Sequence, residues 1–197
     1  MKLLSVILLV LAQSVASAAP SCCSTNLPAS APLSDSSIYN VESVWTSDYG
    51  QEIPLRQLKG RVQVVTMFFS SCVYACPILV HDLKKIDAGL AAAGVTNASF
   101  VLVSFDTEND TVEQLHSFRQ QRGLNDNWVL LRGPAEDVAE LGALLGVKYR
   151  KETSGQFAHS NIITVLNKEG EIVHQQLGLN TDPSVTIAAV VKAQTAQ

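Results

Sequence analysis

The chain has 197 residues, with 14 basic and 18 acidic residues, a formal net charge of −4 and 47% apolar residues. This length suffices for one domain with its own hydrophobic core, so disulfides are not required for folding. The mildly acidic balance argues against a nucleic-acid partner, which would need a basic surface.

The N-terminal residues have the pattern of a cleavable secretory signal peptide. Lys2 is followed by the apolar stretch 3–12 and then by Ala16-Ser17-Ala18, so we expect cleavage after Ala18. The apolar stretch is shorter than the roughly 20 residues that a membrane span needs. We therefore expect residues 1–18 to be removed and the mature protein to be periplasmic. An uncleaved segment that anchors the chain in the inner membrane is the alternative.

The mature chain divides into a leader and a folded domain. Residues 19–37 are rich in Ser, Ala and Pro without a periodic apolar face, which predicts a flexible leader. One folded domain is expected over 38–197. It begins with two short strands, 41–46 and 51–55, which flank Ser47-Asp48-Tyr49-Gly50 and predict an N-terminal β-hairpin.

A strand and a helix meet at a pair of cysteines. The β-branched and aromatic run 61–69 predicts a buried central strand. Cys72 and Cys76 follow it, and Pro77 marks the first turn of a helix that ends at about Ala93.

The remaining elements alternate between strands and helices. Strands are predicted at 99–105 and 128–131, helices at 111–122, 134–145 and 182–193, and a closing hairpin at 161–166 and 171–176. Asp110 is placed to cap the N-terminus of the helix 111–122. Because helices connect the middle strands, these should be parallel, and the last two antiparallel. The order predicts an α/β thioredoxin-like sandwich with a central mixed sheet and an N-terminal hairpin.

The carboxyl ends of the central strands are where a site is expected. Cys72 and Cys76 follow one strand and Asp106 follows the next. At a helix N-terminus, unpaired N–H groups and the helix dipole favour thiolate over thiol, so both sulfurs are expected to be thiolates. If the turn through Cys72 is helical, the two Cα atoms lie about 6 Å apart, which permits a reducible disulfide.

Two thiolates are also an incomplete site for a soft metal such as a cuprous ion, and an imidazole is the natural third ligand. His81 and His116 are predicted to be solvated, and His174 to lie on the sheet surface. His159 differs because it stands in a predicted loop, 156–160, that packs beside the cysteine helix in a thioredoxin-like fold. From spacing alone, a structural role for this histidine is the simpler interpretation.

Together these motifs resemble the Sco/SenC family of copper-handling, thioredoxin-like proteins that serve the assembly of cytochrome c oxidase. The segments that carry the resemblance are Cys72-Val73-Tyr74-Ala75-Cys76-Pro77, the stretch 104–111, and His159-Ser160 with the hairpin that follows.

The resemblance implies a periplasmic copper metallochaperone. Cys72, Cys76 and His159 would be the ligands of Cu(I) or Cu(II), and Asp106 and Asp110 would be supporting acidic residues. It implies as partner the copper-binding subunit of cytochrome c oxidase, or another copper or thiol client protein.

Three positions depart from the family pattern. The family usually has Pro after the first cysteine, Pro after the first aspartate and Asp before the histidine, where this chain has Val73, Thr107 and Ala158. Without a carboxylate at position 158, His159 lacks a side-chain partner that would fix its orientation.

Other functions are compatible with the two thiols. In a thiol–disulfide oxidoreductase, Cys72 and Cys76 would form a redox pair in which one attacks a client disulfide and the other resolves it. A disulfide that only staples strand to helix would close a short loop and constrain little unfolded-chain entropy. A peroxide-reducing enzyme is a further alternative, although no Pro/Thr-rich approach precedes Cys72.

Cys22 and Cys23 are adjacent and therefore cannot close a relaxed disulfide with each other. They are either exchangeable or metal-binding thiols, or exposed thiols without a role on the leader.

Overall fold

The computed structural model describes residues 33–196, and the predicted signal peptide, the leader up to residue 32, Cys22 and Cys23 lie outside the described residues. The strands are β1 (Val44–Ser47), β2 (Glu52–Pro54), β3 (Gln63–Phe68), β4 (Ser99–Ser104), β5 (Trp128–Arg132), β6 (Tyr149–Lys151), β7 (Phe157–His159), β8 (Ile162–Leu166) and β9 (Ile172–Leu177). The α-helices are α1 (Ala75–Ala92), α2 (Val112–Arg122), α3 (Ala135–Leu144) and α4 (Ser184–Thr195), and short 3₁₀ helices span Ile38–Asn40 and Leu55–Leu58.

Seven strands form one mixed sheet in the order β2-β1-β5-β4-β3-β8-β9. Strands β3, β4 and β5 are parallel, whereas β8 runs antiparallel to β3 and β9 antiparallel to β8. The central strands β3 and β4 are buried along their whole length, as their β-branched and aromatic residues require. The predicted thioredoxin-like α/β fold and its N-terminal hairpin are confirmed.

Helices cover both faces of this sheet. The ring of Phe68 packs against Phe118 of α2, with centroids 5.0 Å apart. Its neighbour Met67 points to the opposite face, because successive residues of a strand alternate, and its sulfur lies 3.7 Å from where a Cβ on Gly142 of α3 would be. Helices α2 and α3 therefore lie on opposite faces.

Helices α1 and α4 pack closely on each other. A Cβ at Gly89 of α1 would overlap the side chain of Ile187 of α4, so glycine sets the separation of these helices. Trp128 of β5 donates from Nε1 to Asp87 of α1, at 3.2 Å. These contacts hold α1, and with it the cysteines at its N-terminus, against the sheet.

A buried ion pair joins the β1–β2 turn to α2. Arg119 donates to the carboxylate of Asp48 and also to the carbonyl oxygen of Trp128, at 2.6 Å, and both charged side chains are almost fully buried. His116 lies beside this pair, with Nδ1 3.7 Å from the Asp48 carboxylate. The imidazole of His116, predicted to be solvated, is 38% exposed and packs edge-on against Tyr49.

The last residues of the predicted leader lie on the β8–β9 turn. The hydroxyls of Ser34 and Ser36 donate to the Glu171 carboxylate, and the Ser37 hydroxyl donates to the Glu169 carbonyl oxygen.

Among residues 33–196, none of the helices has the length and hydropathy of a membrane span.

Candidate metal centre

Three metal-ligating side chains from two distant parts of the chain meet at the carboxyl edge of the central sheet. Cys72 lies in the turn between β3 and α1, Cys76 is the second residue of α1, and His159 ends β7. One ligand atom from each of these residues lies within 4.8 Å of those of the other two. The structure thus brings together the three residues that the sequence singled out.

The turn before α1 places the two sulfurs side by side. Helix α1 begins at Ala75, so Pro77 falls in its first turn as predicted, and Cys72 itself precedes the helix. The backbone N–H of Cys76, one of the unpaired donors at the helix N-terminus, points to Cys72 Sγ at 3.3 Å. Both cysteines are free thiols and both are buried, Cys76 completely and Cys72 with 7% of its surface exposed.

The two thiols differ in protonation. The side-chain hydrogen bond that Cys76 donates, together with backbone N–H donors of the first helical turn, lowers the pKa of Cys72 to about 4 despite its burial. The same hydrogen bond, reinforced by burial, raises the pKa of Cys76 far above its usual range. The sequence predicts two thiolates, whereas this hydrogen bond favours the thiolate at Cys72 and the protonated thiol at Cys76.

His159 is held by a hairpin that the sequence did not predict. The expected loop 156–160 contains strand β7, which pairs antiparallel with β6 so that His159 lies opposite Tyr149. The imidazole Nδ1 is 3.1 Å from the carbonyl oxygen of Ser160. Because a carbonyl only accepts, the ring proton sits on Nδ1, and Nε2 keeps the lone pair that a metal needs.

Aromatic side chains fix the plane of this imidazole. Its ring lies edge-on to Phe69, with centroids 6.0 Å apart, and 5.1 Å from the ring of Phe105. Phe105 in turn stacks on Tyr149 at 5.0 Å, and Phe157 packs on both phenylalanines. Sequence reasoning missed Tyr149 and Phe157, and their only signal is alternation with Lys151 and His159 in two short strands.

Asp110 organises the cysteine turn. Its buried carboxylate accepts from the backbone N–H of Ser70 at 2.9 Å, from the Ser70 hydroxyl, and from the Ser104 hydroxyl at 2.5 Å. It is not the N-cap of α2, as the sequence suggested, because Thr111 fills that position and accepts from the N–H of Gln114. Asp110 therefore ties the end of β4 to the turn that carries Cys72.

Asp106 has a more local role. Its buried carboxylate accepts from the side-chain and backbone N–H groups of Asn109 within its own loop, and its carbonyl oxygen accepts from the N–H of Asp110. The other described histidines do not join the centre: His81 is exposed on α1, and His174 contacts Thr186 of α4 at 3.0 Å.

The donor set fits a soft, three-coordinate metal ion. With metal–sulfur bonds of about 2.3 Å, as in zinc sites, three donors around one ion lie about 4 Å apart. The observed limit of 4.8 Å is only slightly wider. Thiolate and imidazole ligands suit Cu(I) and zinc, whereas Mg²⁺ and Ca²⁺ prefer oxygen.

Fold and site together define a thioredoxin-like protein with a centre of two thiols and one imidazole. The sequence model of the SCO1/SenC family matches residues 34–195, and the chain belongs to this family. The resemblance found in the motifs is thus confirmed over nearly all of the described chain.

Individual relatives agree with this membership. The chain is 26% identical over 160 residues to the SCO1 protein homolog of Bacillus subtilis (strain 168), which covers 79% of this chain and 82% of the relative. The crystal structure of Arabidopsis thaliana ScoI with copper bound has a TM-score of 0.69 at 21% identity, covering 78% of this chain and 98% of that one.

A further solved structure is that of BsSco, a member of the Sco family of cytochrome c oxidase assembly proteins in which a disulfide switch was identified. Its TM-score is 0.70 at 24% identity, covering 78% of this chain and 92% of that one. At these identities the structural likeness shows a common fold.

Proposed function

We propose that this protein is a copper metallochaperone that binds Cu(I) through Cys72, Cys76 and His159 and passes it to a client protein. The observation that carries the proposal is the convergence of these three donors within 4.8 Å. Thiolates select Cu(I), and imidazole is a common copper ligand. The copper bound to Arabidopsis thaliana ScoI, which shares this fold, supports the choice of metal.

The protonation of the two thiols defines the binding step. Cys72 offers a thiolate at neutral pH, whereas Cys76 must release its proton to solvent when the ion binds. A shell of three donors leaves the ion open to an incoming thiolate from a client. Copper then moves by ligand exchange and needs no change of oxidation state.

We further propose that the protein is exported to the periplasm and serves the copper-binding subunit of cytochrome c oxidase. The signal-peptide pattern of residues 1–18 supports export. Membership of the same family as BsSco, a cytochrome c oxidase assembly protein, supports the client.

The thiol pair favours one further candidate activity, thiol–disulfide exchange. The Cys72 thiolate would attack a client disulfide and release one client thiolate, and Cys76, on losing its proton, would then attack Cys72 Sγ. The products are a Cys72–Cys76 disulfide and a client that has gained two electrons, one proton that Cys76 released and one proton from solvent. The disulfide switch of BsSco supports this candidate, which is compatible with copper delivery because a client's cysteines must be reduced before they bind metal.

A competitive titration tests the copper proposal. The reduced full-length protein is titrated with Cu(I) against a colorimetric chelator, for the wild type and for Cys72→Ser, Cys76→Ser and His159→Ala. We expect each substitution to weaken binding by on the order of 100-fold or more, since loss of a residue that merely orients a ligand costs 10–100-fold. His81→Ala is the matched control, because this histidine is exposed on the same helix as Cys76.

Unchanged affinity in His159→Ala would remove the imidazole from the ligand set. Unchanged affinity in both cysteine variants would overturn the proposal, and reduction of a disulfide substrate by the metal-free protein would then favour the oxidoreductase.

A further inference from the structure

The two residues between the first thiol and the helix stand out from the surface. Val73 and Tyr74 have 85% and 82% of their surface exposed, the highest values of any large apolar side chain among the described residues. The neighbouring Cys72 and Cys76, by contrast, have 7% and 0% exposed. The turn therefore hides its sulfurs and presents two apolar side chains beside them.

A protein that takes copper from this site by ligand exchange must touch this turn. Its own thiol has to approach the ion to about 2.3 Å, the length of a metal–sulfur bond. Val73 is covalently adjacent to Cys72 and Tyr74 is the next residue. An acceptor protein that reaches the ion from solvent at Cys72 therefore meets these side chains, whereas a small chelator needs no such contact.

The contact is apolar. No charged residue occurs between positions 62 and 80, a stretch that includes β3, the cysteine turn and the first turn of α1. Lys148 and Arg150 line the shallow pocket beside His159, so the charged part of this surface lies at the imidazole and not at the cysteine turn. An acceptor that presents a charged side chain to Val73 and Tyr74 would lose solvation without gaining a partner there.

We propose that Val73 and Tyr74 select acceptor proteins whose metal-binding thiols lie in an apolar surface. This inference rests on the proposed copper transfer and names the class of partner that receives the metal. Burial of about 55 Å² of apolar surface, a fraction of two exposed side chains, stabilises an encounter by about 1.4 kcal/mol. That free energy corresponds to a tenfold preference.

Two synthetic peptides serve as acceptors in the test. Each carries two cysteines with the spacing of Cys72 and Cys76, flanked by leucine and phenylalanine in one peptide and by serine in the other, and their Cu(I) affinities are matched by chelator titration. The full-length protein loaded with Cu(I) is mixed with each peptide, and copper in the ultrafiltered peptide is measured over time. A small sulfonated chelator is the third acceptor.

We expect the wild type to transfer copper about tenfold faster to the apolar peptide, with a preference that does not depend on ionic strength. The double variant Val73→Ser with Tyr74→Ser should lose the preference and keep its rate of transfer to the small chelator. Val173→Ser is the matched control, because this side chain is 47% exposed in β9. Its neighbour Ile172 pairs with Leu166, which in turn pairs with Gln63 at the start of β3. Val173 therefore lies near the edge of the sheet opposite to the cysteine turn. It should keep the preference.

The proposal is overturned if the wild type shows no preference, if the double variant retains it, or if Val173→Ser also loses it. Binding of the wild type to neutral phosphatidylcholine vesicles, or dimerisation, that the double variant loses would assign the two residues to a lipid or to a second copy and would equally overturn it. If the protein holds no copper, the copper proposal fails by itself. The contact of Val73 and Tyr74 with an apolar partner is then tested with the same two peptides oxidised to disulfides. Their rates of reduction by Cys72 are compared.

Discussion

The backbone N–H of Cys76 points at Cys72 Sγ across 3.3 Å, and the Cys76 thiol donates to the same sulfur. One sulfur is thereby stabilised as a thiolate by the end of a helix and by its neighbour, while the other is kept protonated. The pair carries one negative charge at neutral pH. This asymmetry determines how proton release accompanies metal binding.

The first prediction concerns the pH dependence of copper affinity. Cys72, with a pKa lowered to about 4, is already ionised, and Cys76, with a raised pKa, is still protonated between about pH 7 and pH 9. Binding of Cu(I) then displaces one thiol proton, so the apparent association constant should rise about tenfold per pH unit. Chelator competition at several pH values measures this slope.

The slope in His159→Ala should be the same, because the proton comes from Cys76. An association constant that does not change with pH would mean that both thiols are already ionised. A hundredfold rise of this constant for each pH unit would mean that both thiols are protonated.

The second prediction concerns the reactivity of Cys72. Its rate of alkylation by iodoacetamide should be constant between about pH 6 and pH 8. An ordinary thiol, with a pKa near 8.5, reacts about tenfold faster for each pH unit in this range, because its thiolate fraction rises tenfold. Cys76→Ala removes the hydrogen bond that contributes most to the low pKa of Cys72, so the rate should regain its pH dependence. Mass spectrometry of the peptide that contains Cys72 separates this reaction from those of Cys22 and Cys23.

The third prediction distinguishes the two supporting aspartates. Asp110→Asn should lower copper affinity 10- to 100-fold, because the amide cannot accept from the Ser70 N–H and from both hydroxyls at once, which loosens the cysteine turn. Asp106→Asn should have a smaller effect, since its carboxylate contacts Asn109 within its own loop. Chelator competition compares the variants, and equal losses would contradict the role given to Asp110.

The fourth prediction concerns stability away from the metal centre. Arg119→Ala leaves the carboxylate of Asp48 buried without its partner and should lower the free energy of unfolding by about 3 kcal/mol. Urea denaturation measures the loss. Glu108→Gln, which removes an exposed partner of Lys151, is the control and should have no measurable effect. A similar loss in both variants would contradict the assignment.

The strands and helices in which apolar residues dominate were predictable from local sequence patterns. The run 61–69 predicted β3 because burial on both faces demands a continuous apolar segment, and Pro77 located the first turn of α1. Strands β6 and β7 escaped prediction because each has three residues with charged or small side chains among them. Their pairing depends on packing against Phe69 and Phe105, which no local pattern shows.

The site was predictable in its residues but not in its interactions. Asp110 has the local sequence of a helix cap, yet its carboxylate is engaged by Ser70, forty residues earlier in the chain. The carbonyl oxygen of Ser160 orients His159 in the absence of a carboxylate at position 158. The unequal protonation of the thiols depends on the direction of one hydrogen bond, which spacing alone does not define.

The most direct test of the account is X-ray absorption spectroscopy of the Cu(I)-loaded protein, with Cys22 and Cys23 replaced by serine so that only the described thiols contribute. We expect a shell of two sulfur atoms and one nitrogen atom, and loss of the nitrogen contribution in His159→Ala. A shell without nitrogen in the wild type, or sulfur ligation that persists when Cys72 and Cys76 are both replaced by serine, would contradict the proposed centre.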